Sequence, residues 1–220
     1  MIPTHDLEKP FADKVFEPSP LSRVLEQGAP GEAWSPDGGG HTIRSDFRTN
    51  TATEVRLFPD GTNAPFTAGF YPAGELWVTE ILNENDHVTL QFKDKQDRLI
   101  MSKSEVSPGT FAITQYTFDD FGRVKYVIQP KGAAAIIATG TLSQTTIDDF
   151  AFQYIYGSRG RIVEKKVPSA DWVHIVYNKL DQPVLTQDGN QRLNDEWSFI
   201  KYDALARPII TGIYWNSNTR

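Results

Sequence analysis

One short stretch recurs along the chain, and it limits the possible folds more than any other feature does. Its clearest copy runs Tyr116-Thr-Phe118-Asp119-Asp120-Phe121-Gly122-Arg123-Val124. Aromatic residues alternate into an Asp-x-x-Gly turn, and an arginine followed by a β-branched residue leads out. This pattern predicts two antiparallel strands joined by a tight turn. A unit that is used repeatedly is a building element before it is an active site.

Four further stretches share most of the pattern, and they are Leu90–Leu99, Tyr154–Ile162, Ile175–Val184 and Ile200–Ile209. The first of these reads as one residue longer than the others, with an aspartate where the glycine is expected. The residues that define the repeat are structural candidates, and they are Phe92, Arg98, Tyr116, Phe118, Asp119, Gly122, Arg123, Tyr154, Tyr156, Gly160, Arg161, Tyr177, Asn178, Tyr202, Asp203 and Arg207.

The turn at the centre of each copy has a physical explanation. An aspartate at the first position accepts hydrogen bonds from backbone amides two residues further on, and glycine at the fourth position accepts a left-handed conformation. These properties predict a four-residue hairpin loop built around a type I turn. Asn178 replaces the aspartate conservatively, and Asp181 tolerates the left-handed region moderately. Ala206 does not tolerate it.

The repeats predict how the chain is organised. Residues 1–60 form a lead-in rich in proline and glycine with short strands, and residues 61–220 form an array of β-hairpins. An insertion at about 129–149 separates two copies, and its alanines predict a short helix. In the lead-in, Ser22 and Gly28 have the character of helix start and stop signals, so one or two helical turns are expected between them.

The repeat also predicts which residues share a face of the sheet. Successive residues of a strand point to opposite sides. Phe152, Tyr154 and Tyr156, together with Phe150, are therefore expected to form an aromatic ladder on one face. Ala151, Gln153 and Ile155 occupy the other.

Charge and composition exclude several classes of protein. The formal charge of −6 leaves no basic excess for binding a phosphate backbone, so nucleic acid is not an expected partner. The chain has no cysteine and therefore no disulfide or thiolate chemistry. Its longest apolar run, Ala133–Ala138, is far shorter than the roughly 20 residues of a membrane helix, so membrane insertion is not expected. The N-terminus has no signal peptide pattern.

No residue pattern predicts catalysis, a metal or a cofactor. The four histidines, His5, His41, His87 and His174, are far apart in sequence. Asp119-Asp120 and Asp148-Asp149 would point to opposite faces of a strand, which disfavours joint acid–base chemistry. The turn Asn83–Asp86 offers oxygen ligands, but it lacks the length of a calcium loop and its closing glutamate.

Two side-chain sets leave alternatives open. The recurring arginines, Arg98, Arg123, Arg161 and Arg207, form either an anion-binding stripe or structural braces that pair with the turn aspartate and cover a neighbouring aromatic ring. We favour the structural role. The five tryptophans form either a sugar-stacking platform or core and edge packing, and they are Trp34, Trp77, Trp172, Trp197 and Trp215.

The repeats resemble the YD repeats of the RHS family, whose pattern is an aromatic pair, Asp, two variable residues, Gly, Arg and an aliphatic residue. Tyr116–Val124 matches it throughout. Flanking stretches at 19–34, 50–58 and 160–168 resemble large RHS-type proteins of Bacteroidota, in a segment that leads into the repeat array. The resemblance covers about residues 16–214.

The resemblance implies an architecture and a set of partners. RHS and YD arrays, including those of insecticidal toxin complexes, spiral a long β-sheet into a hollow shell. Bacterial members commonly enclose or display a variable C-terminal toxin, and members in Bacteroidota are expected to leave the cell by the type IX route. The implied partners are the remainder of the protein's own shell, an enclosed effector and secretion machinery. Open strand edges also favour self-association.

The expected fold class is mainly β, with stacked antiparallel hairpins and one short helical insertion. The expected function is a non-enzymatic structural segment of a secreted or surface RHS/YD-repeat protein. It would scaffold, enclose or present a C-terminal effector that is not present in this chain. The alternative is a surface module that binds glycans or host proteins.

Overall fold

The computed structural model describes residues 9–216 of the 220-residue chain, so His5 lies outside the described residues. Contacts divide the chain into two compact units. The first consists of residues 1–57 and 69–115, and the second of residues 58–68 and 116–220. The domain boundary expected at residue 60 stays a prediction.

Short strands make up most of both units. In chain order they are β1 Lys14–Phe16, β2 Val24–Gln27, β3 Ile43–Thr49, β4 Arg56–Leu57, β5 Phe66–Thr67, β6 Gly69–Phe70, β7 Trp77–Leu82, β8 Val88–Lys93, β9 Leu99–Ser107, β10 Thr110–Phe118, β11 Val124–Ile128, β12 Thr141–Leu142, β13 Ala151–Tyr156, β14 Ile162–Lys166, β15 Val173–Tyr177, β16 Pro183–Gln187, β17 Glu196–Tyr202 and β18 Pro208–Trp215. The helices are α1 Pro130–Thr139, α2 Gln144–Phe150 and α3 Gly189–Leu193, with a short 3-10 helix at Glu32–Trp34.

The first unit is an antiparallel sheet. Its strands follow the order β1-β2-β3-β7-β8-β9-β10, and each strand is antiparallel to the next. A small separate pair joins β4 to β6. Side chains from several parts of this unit are almost fully buried, and they are Val55, Leu76, Val78, Phe92 and Met101. Removing this apolar surface from water stabilises the unit.

The second unit is also an antiparallel sheet, and it contains helices in addition. Its sheet follows the order β11-β13-β14-β15-β16-β17-β18, again with antiparallel neighbours. Helices α1 and α2 lie between β11 and β13 in sequence and pack on one another, and α2 also packs on both strands. Five side chains from this region have no exposed surface, and they are Ile128, Ile136, Leu142, Ile147 and Ala151. The insertion is therefore part of the core.

The fold class expected from the sequence is confirmed, because the described residues form mainly antiparallel β-hairpins with a helical insertion. The insertion holds two helices. Pro130 begins α1, and Gly140 ends it in a left-handed conformation at φ 72°. The third helix, α3, was not predicted. It begins with a capping box in which Asp188 accepts from the Gln191 amide and the Gln191 side chain accepts from the Asp188 amide.

The expected helical turns between Ser22 and Gly28 are wrong. Val24–Gln27 is strand β2, which pairs with β1 on one side and β3 on the other. Ser22 has φ 48°, in the left-handed region, and closes a turn by donating its amide hydrogen to the Ser19 carbonyl. Pairing with two strands outweighs the weak local helix signals of such a short segment.

The aromatic face predicted for β13 needs one correction. Phe152, Tyr154 and Tyr156 do alternate along the strand, but each is only half-buried. The opposite face is the buried one, with Ala151 and Gln153 almost fully covered. Phe150 ends α2 rather than beginning the strand. The small Ala151 and the polar Gln153 fit this face because α2 packs against β13.

None of the helices in the described part of the chain has the length and apolar character that crossing a bilayer requires.

Candidate functional site

All five repeats contain a turn of one geometry. The amide of the first turn residue donates to the carbonyl of the fifth at 2.8–3.1 Å, and the amide of the fourth donates to the carbonyl of the first at 2.9–3.2 Å. The fourth residue has φ between 62° and 74°. This is a type I turn followed by a left-handed residue that forms a β-bulge. The turns are residues 94–98, 119–123, 157–161, 178–182 and 203–207.

The aspartate at the first position organises the turn. Asp119 accepts the backbone amides of Phe121 at 3.0 Å and Arg123 at 2.9 Å, and it accepts the Arg123 guanidinium at 2.7 Å through Nε. The pairs Asp94–Arg98 and Asp203–Arg207 repeat this pattern, each with an Nε contact of 2.7 Å. The recurring arginine is therefore held by its own turn in these three copies.

These contacts change the acidity of the turn carboxyls. Burial raises the pKa of Asp119, but hydrogen bonds from Arg123 and Phe121 outweigh it, and the net pKa lies below its usual range. At Asp203 the backbone amide of Arg207 is the main cause of a lowered pKa. Both carboxyls are therefore held in the charged form that accepts these bonds.

Two copies replace the ion pair with other contacts. Gly157 carries no carboxylate, and Arg161 instead pairs with Asp181, the left-handed residue of the following turn. Asn178 accepts two backbone amides as an aspartate would, and its Nδ2 donates to the Gln182 side chain at 2.7 Å. The turn therefore keeps its geometry when the aspartate is absent, as at Gly157, and when both the aspartate and the arginine are replaced, as at Asn178 and Gln182.

The additional residue predicted for the Phe92 copy does not lie in its turn. Its turn, 94–98, has the same length as the others, so the copy contains no additional residue in the loop. Lys93 takes the place that an aromatic residue fills elsewhere. Phe92 is one residue earlier, and it is fully buried in the core of the first unit. The shift moves the aromatic ring to the other face of the strand.

The turn predicted at Asn83–Asp86 has the same geometry as the five repeats, a likeness that was not predicted. Asn83 donates its amide to the His87 carbonyl and accepts the Asp86 amide at its own carbonyl, and Asp86 has φ 60°. The Asn83 side chain accepts the amides of Asn85 and His87 at 2.9 and 3.0 Å. The signal was present, because Asn-x-x-Asp also occurs in the recognised turn that begins at Asn178.

Tyrosine contacts link three pairs of successive copies, and we call each of these links a junction. The Tyr156 hydroxyl donates to the Val124 carbonyl at 2.8 Å, and the Tyr177 hydroxyl donates to the Ile162 carbonyl at 2.9 Å. The Tyr202 hydroxyl does the same with the Pro183 carbonyl at 2.9 Å. In each junction the acceptor is the residue that directly follows the preceding turn.

Arginine completes two of the three junctions. The Arg123 guanidinium lies 4.4 Å from the centre of the Tyr156 ring, and that of Arg161 lies 4.5 Å from the Tyr177 ring. Attraction between a cation and an aromatic face contributes about 0.5–1 kcal/mol at exposed sites. In the third junction, Gln182 stands where the arginine would be.

Strand register explains why the junctions are alike. Tyr126 pairs with Gln153 and Leu185 pairs with Phe199. Extending both registers by three residues places Tyr156 opposite Arg123 and Tyr202 opposite Gln182. Each of these junction tyrosines therefore faces the last residue of the turn before it.

The other candidate residues have mostly structural surroundings. Asp148 accepts hydrogen bonds from Lys166 at 2.6 Å and Gln153 at 3.1 Å, which together with Gln144 lower its pKa, with Lys166 as the main cause. His174 on β15 pairs with Glu164 on the neighbouring strand β14, and its Nδ1 lies 3.5 Å from the Glu164 carboxylate. Between residues 9 and 216, no three His, Asp or Glu side chains form a cluster that could hold a metal ion.

A groove of about 680 Å³ lies beside the last two turns. Its lining includes Leu180, Phe199, Tyr202 and Tyr214. The adjacent strand β18 is exposed along almost its whole length. Of the tryptophans, Trp197 is buried, whereas Trp77 and Trp215 are exposed in different units.

Antiparallel hairpins joined by turns of one backbone geometry, with repeated tyrosine contacts between them, define the class of fold: a β-sheet built from a repeated hairpin. Comparison with known proteins gives the particular likenesses. A family model described as "Domain of unknown function (DUF6443)" matches residues 2–49. No curated protein sequence matches the chain.

Several solved structures share the fold over most of this chain. The crystal structure of TcdB2-TccC3 matches with a TM-score of 0.58 and 13% identity, covering 95% of this chain and 9% of that one. TcdB2-TccC3 without its hypervariable C-terminal region matches with a TM-score of 0.57 and 15% identity, covering 93% of this chain and 8% of that one. The Photorhabdus luminescens Tc holotoxin pore with a mutation in TccC3 matches with a TM-score of 0.57 and 14% identity, covering 95% of this chain and 9% of that one. This chain therefore spans less than a tenth of the length of these three structures, and the matches show a shared fold.

Proposed function

We propose that this chain is a non-enzymatic structural segment of a longer, secreted or surface RHS/YD-repeat protein. Its role is to scaffold, enclose or present a C-terminal effector that lies outside this chain. The observation that carries the proposal is the junction itself. The shared geometry of Tyr156, Tyr177 and Tyr202 links hairpin to hairpin and uses each hydroxyl within the sheet.

The chemistry of the repeat supports a scaffold. The turn aspartates are occupied by backbone amides and by their own arginines, as Asp119 and Asp203 show. A group whose hydrogen-bonding capacity is used within the turn has little left for a substrate. Likeness in fold to Tc toxin components supports the same role.

The partners and the location follow from this proposal. The partners are further hairpins of the same sheet and an enclosed effector, and the protein meets secretion machinery on its way out of the cell. Origin in Bacteroidota and export by the type IX route belong to the proposal as well. The glycan-binding alternative is not favoured by the likeness in fold.

Limited proteolysis of the natural gene product tests the proposal. The expected result is a product much longer than 220 residues, whose C-terminal part resists protease within the intact protein and is cut rapidly once isolated. The control is the same C-terminal part expressed alone. A natural product that ends with this chain, or a C-terminal part that is cut equally fast in both forms, would contradict the proposal.

A further inference from the structure

The last turn of the second unit, residues 203–207, has the arginine that completes a junction but no tyrosine ring against it among the described residues. Arg207 pairs with Asp203 as Arg123 pairs with Asp119, through Nε at 2.7 Å in both turns. The Arg207 side chain is nevertheless 70% exposed, against 27% for Arg123. The rings of Tyr156 and Phe121 lie 4.4 and 4.9 Å from the Arg123 guanidinium, whereas no aromatic ring of residues 9–216 lies over Arg207.

The strand that follows this turn has an open edge. Among residues 9–216, strand β18 pairs with β17 alone. Its sequence, Pro-Ile-Ile-Thr-Gly-Ile-Tyr-Trp, contains no charged residue, and Ile209, Ile210 and Tyr214 are each about half exposed. Natural edge strands are commonly protected by charges or bulges, because unpaired backbone groups recruit other strands. An apolar edge without charges is typical of a surface that another strand covers.

The register of the earlier junctions defines what would fit. In each of them the tyrosine hydroxyl donates to the carbonyl of the residue after the turn, and in one of them that residue is a proline, Pro183. The corresponding residue after the last turn is Pro208. An incoming tyrosine opposite Arg207 would therefore find both the guanidinium and the Pro208 carbonyl in the positions that Tyr156 uses.

We propose that β18 and Arg207 form a docking site for one further β-hairpin of the same repeat type, with a tyrosine immediately before its turn. The incoming strand pairs antiparallel with β18, the tyrosine ring covers Arg207, and its hydroxyl donates to the Pro208 carbonyl. This deepens the proposed scaffold function, on which it rests, by stating the chemistry of the adjoining partner.

Binding of a synthetic hairpin to the complete chain tests the site. The probe is a cyclised peptide of residues 151–166, which contains strand β13, its turn and strand β14, and whose Tyr156 precedes the turn. Cyclisation is needed because an isolated hairpin is marginally stable. We expect saturable binding of one probe per chain, measured by calorimetry.

Two changes localise the contact. Tyr156→Phe in the probe removes the hydroxyl and is expected to weaken binding about 2- to 12-fold. Arg207→Ala in the chain removes the cation and is expected to weaken binding about 2- to 5-fold. Together they should weaken binding by less than the product of the two factors, because both disrupt one contact. Lys131→Ala, an exposed charge removal on α1, should leave binding unchanged.

A second chain variant guards against loss of folding. Ile210→Lys places a charge on the open edge and should abolish binding while leaving the thermal unfolding of the chain unchanged within error. The site is wrong if the cyclised probe does not bind, or if Tyr156→Phe and Arg207→Ala both leave binding unaffected. It is also wrong if β18 pairs with β18 of a second copy, which sedimentation would detect as a dimer that Ile210→Lys dissociates.

Failure of the site and failure of the scaffold function have different signatures. If the probe does not bind but the natural protein still shields its C-terminal part, only the docking site is overturned. If the probe binds with the expected dependence on Tyr156 and the C-terminal part is unshielded, the enclosing function is overturned and the site stands.

Discussion

The hydroxyl of Tyr156 donates a 2.8 Å hydrogen bond to the carbonyl of Val124, the residue directly after the preceding turn. This contact joins two hairpins that the helical insertion separates in sequence. Tyr156→Phe should lower the free energy of unfolding by about 0.5–1.5 kcal/mol, because the part-buried carbonyl loses its donor. Chemical denaturation measures the change. Tyr154→Phe on the same strand is the control, and an equal loss there would contradict the role of the hydroxyl.

Ala206 occupies the left-handed position of the last turn, at φ 64°. The turn keeps its hydrogen bonds, with the Ala206 amide 3.1 Å from the Asp203 carbonyl. Glycine adopts this conformation without steric cost, so Ala206→Gly should stabilise the protein by roughly 0.4–1 kcal/mol. A thermal melt checks the gain. Ala204→Gly, two residues earlier in the turn, should give no stabilisation. No gain from Ala206→Gly would show that the last turn differs from the other four.

Neighbouring hydrogen-bond donors strongly lower the pKa of the Glu17 carboxyl. Hydrogen bonds from the Arg23 side chain and then from Ser19 lower its pKa from 4.5 to about 2. Because the folded-state pKa is the lower one, the stabilisation is present above about pH 4.5 and is lost as the pH falls towards 2. Titration of the Glu17 carboxyl by NMR should give a pKa of about 2.

The matched variant for this acid is Arg23→Gln. It removes the cation that donates to Glu17 at 2.7 Å and should raise the Glu17 pKa towards 4.5. Glu17→Gln should reduce stability at neutral pH and lose that effect near pH 2. An unchanged Glu17 pKa in Arg23→Gln would contradict the assigned cause.

Gly132 lies in α1 where a side chain has no room. A Cβ atom there would lie 2.8 Å from the Phe150 Cβ and 2.9 Å from the Ile128 Cγ2. Replacing a helix glycine by alanine ordinarily gains about 0.5–1 kcal/mol, but overpacking a core costs about 1–3 kcal/mol. Gly132→Ala should therefore destabilise the protein in chemical denaturation. Lys131→Ala on the exposed side should change stability by less than about 0.5 kcal/mol. Stabilisation by Gly132→Ala would show that the insertion packs more loosely.

The sequence predicted those parts of the fold that depend on local chemistry. In four of the five repeats, an Asp or Asn followed three residues later by Gly, Asp or Ala fixes the turn, and Gly157 takes the first position in the other. Hydrophobic alternation fixes the strands on either side. The alanines of 133–138 predicted the helix that covers the core. These features are local, so they can be recognised without knowledge of the neighbouring strands.

The parts that were missed depend on contacts between distant residues. The turn at Asn83–His87 is a local exception, because it has the Asn-x-x-Asp signal of the turn at Asn178 but lacks the tyrosine, glycine and arginine of the pattern. Val24–Gln27 forms a strand because it pairs with β1 on one side and β3 on the other. The partner of Arg161 is Asp181, from another copy, and no spacing within one repeat indicates that pairing.

Electron cryo-microscopy of the intact natural protein tests the central claim most directly. We predict a strand paired antiparallel with β18, an aromatic ring over Arg207 and a polypeptide enclosed or presented by the continued sheet. A structure in which β18 stays an unpaired edge in the complete protein, with Arg207 open to solvent, would contradict the claim that this chain is one segment of a longer scaffold.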